Sequence, residues 1–442
     1  MIGYVVFDNP ESMGHGWAAR AGERRARLIG GLHDLSSDTV WILSSEWNDL
    51  HAQQVHHHAL YRHCRYFGPA LPRVIADLGV PADAAQDQAI VGAEIAARIL
   101  KLYARAFADR EDLVPPNRLI SAVRERMSPP DGAVPAELDQ VLMDSSEMFD
   151  WVRDVSGASN EGEEMVLRLH PVNYAQTLLG AIIPDDSQPP VWDDHPPEHP
   201  SLDWVIEHAP LVARITIDAQ DRMVSALINY GATGNSGSQR RFVTHYELSR
   251  LLSSQIDLRV HQVIRWNSDP NRFAAIREAL ASIAREEQGA FCASESVSLF
   301  AEILWRAAAA QMPPANARRK GMVRYRNLAA PFIHAYGRIS CANAAMPLIS
   351  DGFLVRRQGY GQIALSMREG DDWRALADHC VRGAMLPPVY RDAHAIADYE
   401  PPKGFDPTNP FTAAVVLRVR GLRDDLFALD GALAGWAARK IA

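Results

Sequence analysis

The sequence predicts a helix-rich α+β protein, on three observations. The chain opens with an apolar strand, long stretches carry apolar residues at helical spacing, and short alternating segments return after residue 203. An N-terminal β-α-β start of α/β character is followed by helices, and a mainly helical C-terminal part carries a β-hairpin.

Residues 2–8 (IGYVVFD) read as the first strand, since the apolar run stops at Asp8 and no basic stretch precedes it as in a signal peptide. Residues 17–32 place Ala18, Ala21, Leu28 and Leu32 at helical spacing, and Thr39–Leu43 follows as a second strand. Residues 50–109 are helical in pattern, interrupted at Gly68-Pro69 and Gly79-Val80-Pro81, with further helices expected at 117–127 and 136–154. Pro and Asp crowd residues 185–202, which read as a linker between a domain at 1–184 and a helix-rich domain at 203–442. Within the latter, 211–217 and 223–230 flank a polar turn and predict a hairpin over 211–230. Helices dominate 244–311, strands return at 353–365, and 411–439 reads as a long helix.

Charge is distributed unevenly. The net charge is −9, yet residues 131–207 hold 17 acidic and 2 basic residues, so this block, including the acidic helical stretch 131–184, is the source of the negative charge. Residues 214–326 hold 16 basic and 10 acidic residues, which makes them the best anion-binding candidate in the chain. Of the 45 basic residues only 4 are Lys, a bias expected of a GC-rich bacterial genome. Four cysteines lie far apart without a C-x-x-C pair, so reduced, buried thiols are expected rather than a disulfide framework. No apolar run reaches the roughly 18 residues that span a bilayer, and a cytoplasmic protein with no membrane partner is expected.

Two stretches carry the nucleic-acid reading. Residues 244–266 (THYELSRLLSSQIDLRVHQVIRW) lay out as two short helices, 245–252 and 258–266, resembling a helix-turn-helix. Arg259, Gln262 and Arg265, with His261, would face bases or phosphates from the second helix, and Arg240 and Arg241 would hold the backbone. The second stretch, Arg318, Arg319, Lys320, Arg324, Tyr325 and Arg326, packs five positive charges and a tyrosine into nine residues, which suits phosphate contact with base stacking. The bland alternatives are a helical hairpin and a solvated charged surface.

Metal-site candidates are confined to the N-terminal half. His33-Asp34 resembles the central dipeptide of HD-domain phosphohydrolases, with His56 and His58 as downstream ligands, although a strand at 39–43 interrupts what that all-helical fold requires. His51, His57 and His63 share the histidine-rich segment as a polar helix face. Asp8 and Glu46 follow the first two strands and would approach each other if those strands pair in parallel. The H-x-x-E-H string at 195–199 resembles a zinc-peptidase motif, but its prolines forbid the single helix that motif needs. Gly370-Asp371-Asp372 resembles a polymerase metal turn, but a helical pattern follows, with Asp371 as its expected N-cap and Asp372 in its first turn. No P-loop, third-glycine dinucleotide motif or G-x-S-x-G elbow is present, so no cofactor is implied. The expectation is therefore a non-catalytic DNA- or RNA-binding protein, with other protein subunits as possible partners of the acidic block. The rivals are a metal-dependent phosphohydrolase or nuclease, and a structural or adaptor subunit.

Overall fold

In a computed structural model, residues 1–45, 61–63, 70–77, 80–107, 152–153, 162–185, 187–217, 241–286, 293–309, 327–390 and 393–421 are described. The order of elements is β1 (Ile2–Phe7), β2 (Gly16–Arg20), β3 (Arg27–Ile29), β4 (Val40–Leu43), β5 (Tyr61–His63), α1 (Ala70–Asp77), α2 (Ala85–Phe107), β6 (Val152–Arg153), β7 (Glu163–Leu169), α3 (Pro171–Leu178), β8 (Val191–Asp193) and α4 (Leu202–Glu207). Then follow β9 (Leu211–Ile217), β10 (Arg241–Thr244), α5 (His245–Ser253), β11 (Leu258–Arg265), α6 (Ala274–Glu286), α7 (Ala293–Ala308), α8 (Ala330–Ser350), β12 (Leu354–Gly359), β13 (Gln362–Met367), α9 (Trp373–Arg382), β14 (Met385–Leu386) and α10 (Pro410–Val419). The protein is a mixed α+β fold.

Two compact units divide the chain, and neither is one continuous stretch: unit 1 is 1–123, 278–303 and 388–442, and unit 2 is 124–277 and 304–387. Unit 1 is built on a five-stranded sheet in the order β3-β2-β1-β4-β5. β1, β2 and β3 pair antiparallel, while β4 runs parallel to β1 and β5 parallel to β4. Helix α2 packs on β1 and β2, and at the crossing only glycine fits: a Cβ on Gly92 would lie 2.3 Å from the Tyr4 ring. In the same unit the guanidinium of Arg418 (α10) meets Glu295 (α7) at 3.4 Å, with both side chains buried.

The stretch 17–32, expected as a helix, is instead β2 and β3. Gly22 at φ 87° turns the chain between them, and Gly31 at φ 149° leaves β3, so no continuous helix could form. The parallel pairing of β1 with β4 nonetheless meets the condition set for Asp8 and Glu46.

Unit 2 holds two antiparallel sheets, β10-β9-β11-β8 and β14-β7-β13-β12-β6. Helix α8 is largely apolar and mostly buried, with Asn343, Pro347 and Ser350 exposed toward its C-terminal end, and it packs against β10, β12, β13, α3 and α5. Its one deeply buried charge, Arg338, is paired with Glu247 of α5. The strands expected within 353–365 are β12 and β13, which pair as an antiparallel hairpin turning at Tyr360-Gly361. The helix expected after Gly370-Asp371-Asp372 is α9, but its N-cap is Asp372 rather than Asp371: Asp372 accepts from the backbone N–H of Arg374 and Ala375. Residues 218–230, the second arm of the hairpin expected over 211–230, lie outside the described residues, and β9 pairs instead with β10 and β11. Residues 117–127, 136–151 and 422–439 also lie outside them, while 152–153, the end of the helix expected over 136–154, form β6, and 61–63, within the helical pattern of 50–109, form β5.

Candidate nucleic-acid interface

The second helix of the expected helix-turn-helix does not exist. Residues 258–265 form β11, whose Leu258, Val260 and Val263 turn inward, while Arg259 points to solvent. A bulge between Val260 and Gln262 breaks the strict alternation and gives the apolar residues a spacing that imitates a helix. The first helix, α5, is real, and its capping box joins Thr244 to Glu247.

β9 alternates more cleanly. Leu211, Ala213, Ile215 and Ile217 face Leu248 and Leu251 of α5 in the core, so Val212, Arg214 and Thr216 take the opposite face. The register carries that face across the sheet. Phe242 and Gln262 stand opposite Arg214, and Arg259 stands opposite Thr216. The Arg214 guanidinium lies 5.9 Å from the centre of the Phe242 ring, and Thr216 Oγ1 lies 2.7 Å from His261 Nε2. On β8, Trp192 pairs with Ile264 and is 42% exposed. The result is a face bearing two guanidinium groups, an imidazole, an amide and aromatic rings from four strands, with Val212 and Ile264 on the same side fully buried.

An acidic rim borders this face. The segment read as a linker supplies β8 as the sheet's fourth strand, and the backbone N–H of Val260 donates to the Glu198 carbonyl at 2.9 Å. From that segment Glu198 approaches Arg259 at 3.5 Å, and Asp194 Oδ1 accepts from Gln262 Nε2 at 2.5 Å. The Arg259–Glu198 pair is largely solvated, so it holds the guanidinium only weakly against a competing phosphate. The H-x-x-E-H string lies on this segment in non-helical backbone, with His199 Nδ1 at 3.1 Å from the Leu258 carbonyl.

Of the other residues read from sequence, Arg259 and Gln262 share the outward face, whereas Arg265 pairs with Leu211 and takes the inward side of β11. Arg241 opens β10 opposite Ile215, and Arg240, Arg318, Arg319, Lys320, Arg324, Tyr325 and Arg326 lie outside the described residues. Sequence reasoning missed Arg214, Phe242 and Trp192 as members of the face. The alternation of 211–217 was the available signal for the first of them.

Of the metal candidates, His33, Asp34 and Asp8 lie among the described residues. His33 and Asp34 sit on an exposed 3-10 turn, 3.5 Å from each other, and Asp34 Oδ2 closes that turn by accepting from Gly30 N at 2.6 Å. His56, His58 and Glu46 lie outside the described residues, among which no three His, Cys, Asp or Glu side chains are grouped to hold an ion. Among the described residues no helix is long and apolar enough to cross a membrane.

The sequence matches no known protein family and no curated protein. Among solved structures the fold is similar to Phi29 DNA polymerase complexed with single-stranded DNA, with a TM-score of 0.37 and 12% identity over 68% of this chain and 51% of that one. The same polymerase complexed with primer-template DNA (the post-translocation binary complex) gives 0.36 and 10% over 69% and 51%. Its ternary complex with primer-template DNA and incoming nucleotide substrates gives 0.36 and 10% over 63% and 49%. The chain thus spans about half the length of these structures, and a superposition this loose carries no residue-level correspondence.

Proposed function

We propose that the chain binds nucleic acid, DNA or RNA, through the outward face of the β10-β9-β11-β8 sheet, as a binding rather than a catalytic protein. The observation that carries this reading is the row formed by Phe242, Arg214 and Gln262 across three strands, beside Arg259 and the Thr216–His261 pair. Aromatic and guanidinium planes on an open sheet stack unpaired bases, while exposed guanidinium groups pair with phosphates. The basic stretch 318–326 would extend the same electrostatic footprint.

Fluorescence anisotropy with a labelled single strand, titrated between about 50 and 200 mM salt, tests the reading. Arg214→Ala with Arg259→Ala is expected to weaken binding and to lower the slope of log affinity against log salt by roughly 0.7 for each lost phosphate contact. Replacing Arg318, Arg319, Lys320, Arg324 and Arg326 by Ala should do the same. Unchanged affinity and slope in both sets reject the surface.

A second reading is favoured by one observation. Because β1 and β4 are adjacent and parallel, Asp8 and the residues leading to Glu46 leave the sheet at the same edge, where paired carboxylates would hold a divalent cation for phosphoryl chemistry. Elemental analysis of the purified protein, with Asp8→Asn as control, tests it. Stoichiometric metal lost in the variant would support it, and a metal-free active protein would reject it.

A further inference from the structure

The core side of the β10-β9-β11-β8 sheet carries a second exposed surface, on and around α4. Of the eight large apolar side chains exposed among the described residues, five fall between residues 182 and 206. Trp192 belongs to the outward face, but Val191 does not. Its pairing with Arg265, and that of Arg265 with Leu211, turns it to the core side, where Leu211 shares a cluster with Val205 of α4.

Helix α4, at six residues, is too short to persist alone and is held by its surroundings. Ser201 caps it, the hydroxyl accepting from Trp204 N at 3.1 Å, and Val205 is fully buried. Trp204 packs on the same cluster, and its ring stacks on His208 with the centroids 4.4 Å apart. With Trp204 and Val205 turned inward, the helix presents Leu202, Asp203, Ile206 and Glu207 to solvent. Each kind stands at i and i+4, so two aliphatic side chains form one row and two carboxylates the next. The solvent face of a surface helix is ordinarily polar. Here Ile206 is 60% exposed, Leu202 37% and, on β8, Val191 51%.

Charge selects the occupant. Residues 169–213 contain seven acidic residues and neither Lys nor Arg. Asp203 and Glu207 enter no ion pair or hydrogen bond among the described residues, so both carboxylates are open to a cation. Phosphates are repelled by them, and so is a second copy of this chain, which would bring the same acidic rows face to face. A cationic amphipathic helix is complementary: its aliphatic i, i+4 row packs against Leu202 and Ile206 while Lys or Arg beside that row meet Asp203 and Glu207.

We propose that the exposed ridge of α4, on the side of the sheet to which Val191 turns, docks a basic amphipathic helix of a partner protein. The ridge is distinct from the nucleic-acid face, and the proposal stands or falls independently of that reading.

The probe is a labelled peptide of about 18 residues made of Leu and Lys, with leucines at i, i+3, i+4 and i+7; its control holds the same residues in strict alternation, the pattern of a strand. In anisotropy titrations with the full chain, the helical pattern is expected to bind more tightly than the alternating one. Leu202→Ser with Ile206→Ser is expected to weaken that binding about tenfold or more. Asp203→Asn with Glu207→Gln is expected to weaken it and to flatten its salt dependence. Hydrogen exchange over 201–208 should slow in the complex. All four positions are exposed, so unchanged thermal midpoints verify that the variants fold. Equal binding of the two peptides, or an affinity that neither double variant alters, overturns the proposal. Self-association of the wild-type chain in sedimentation that Leu202→Ser with Ile206→Ser abolishes also overturns it, by assigning the ridge to a second copy. Loss of single-strand binding in that variant overturns it in favour of nucleic acid.

Discussion

The buried pair Arg338–Glu247 offers the sharpest energetic test of how unit 2 is held together. Their side chains are 4% and 0% exposed, and Glu247 Oε2 also accepts from Thr244 N at 2.9 Å and Thr244 Oγ1 at 3.1 Å. The carboxylate thus joins the start of α5 to the middle of α8. Arg338→Met leaves a buried negative charge with only the Thr244 donors and is expected to cost about 3–5 kcal/mol. Glu247→Leu leaves the guanidinium without its carboxylate and removes the cap, for a loss of similar size plus about 1 kcal/mol. The double variant removes both charges together, and its cost should fall to roughly 1–2 kcal/mol, mostly the lost cap. A coupling of at least about 3 kcal/mol between the two sites follows.

A chain of two units need not unfold in one step, so hydrogen–deuterium exchange of α5 and α8 peptides is the suitable assay. Each single variant should raise exchange there by about two to four orders of magnitude, and the double variant should recover most of that protection. Additive losses, or single variants that exchange like the wild-type protein, would refute the reasoning.

Three further predictions follow from named contacts. Asp194→Asn with Glu198→Gln removes two negative charges from the sheet rim, and tighter binding to single strands, most evident at low salt, is expected in anisotropy titrations. Burial lowers the His245 pKa to about 3, so the folded chain keeps this imidazole neutral while the unfolded chain protonates it below about 6.5. Its contribution is complete above about pH 6.5 and is lost as pH falls toward 3, at about 1.4 kcal/mol per unit; His245→Phe should flatten the pH dependence of the thermal midpoint between 7 and 5, and parallel curves would contradict this. Gly92→Ala drives a Cβ into the Tyr4 ring and should destabilise unit 1 by about 1–3 kcal/mol, measured as increased exchange in β1 and α2.

Much of the fold was legible where one periodicity dominated. The opening strand, the strands within 353–365 and the helix after Gly370 all follow local rules, and the structure contains each, with the cap of that helix one residue later than expected. Reading failed where two periods compete. Ile256, Val260, Val263 and Ile264 fall at spacings of an amphipathic helix only because a bulge inserts one residue into a strand. Between 17 and 32 short strands with buried alanines passed for a helix, since alanine favours helices but also fits under one. The site was partly legible: Arg259 and Gln262 were singled out, yet for a helix rather than a strand. Their neighbours Arg214 and Phe242 were not, because cross-strand register depends on pairing that no local window contains.

The interleaving of the two units has a consequence for biosynthesis. A ribosome releases the five strands of the first sheet early, yet the stretch that brings Arg418 to its carboxylate Glu295 is translated last, after every residue of the other unit. Until then Glu295 is a nascent acidic group awaiting its counter-ion. A stalled or prematurely terminated message would therefore yield a half that is complete and a half that is not, the latter a natural client for chaperones.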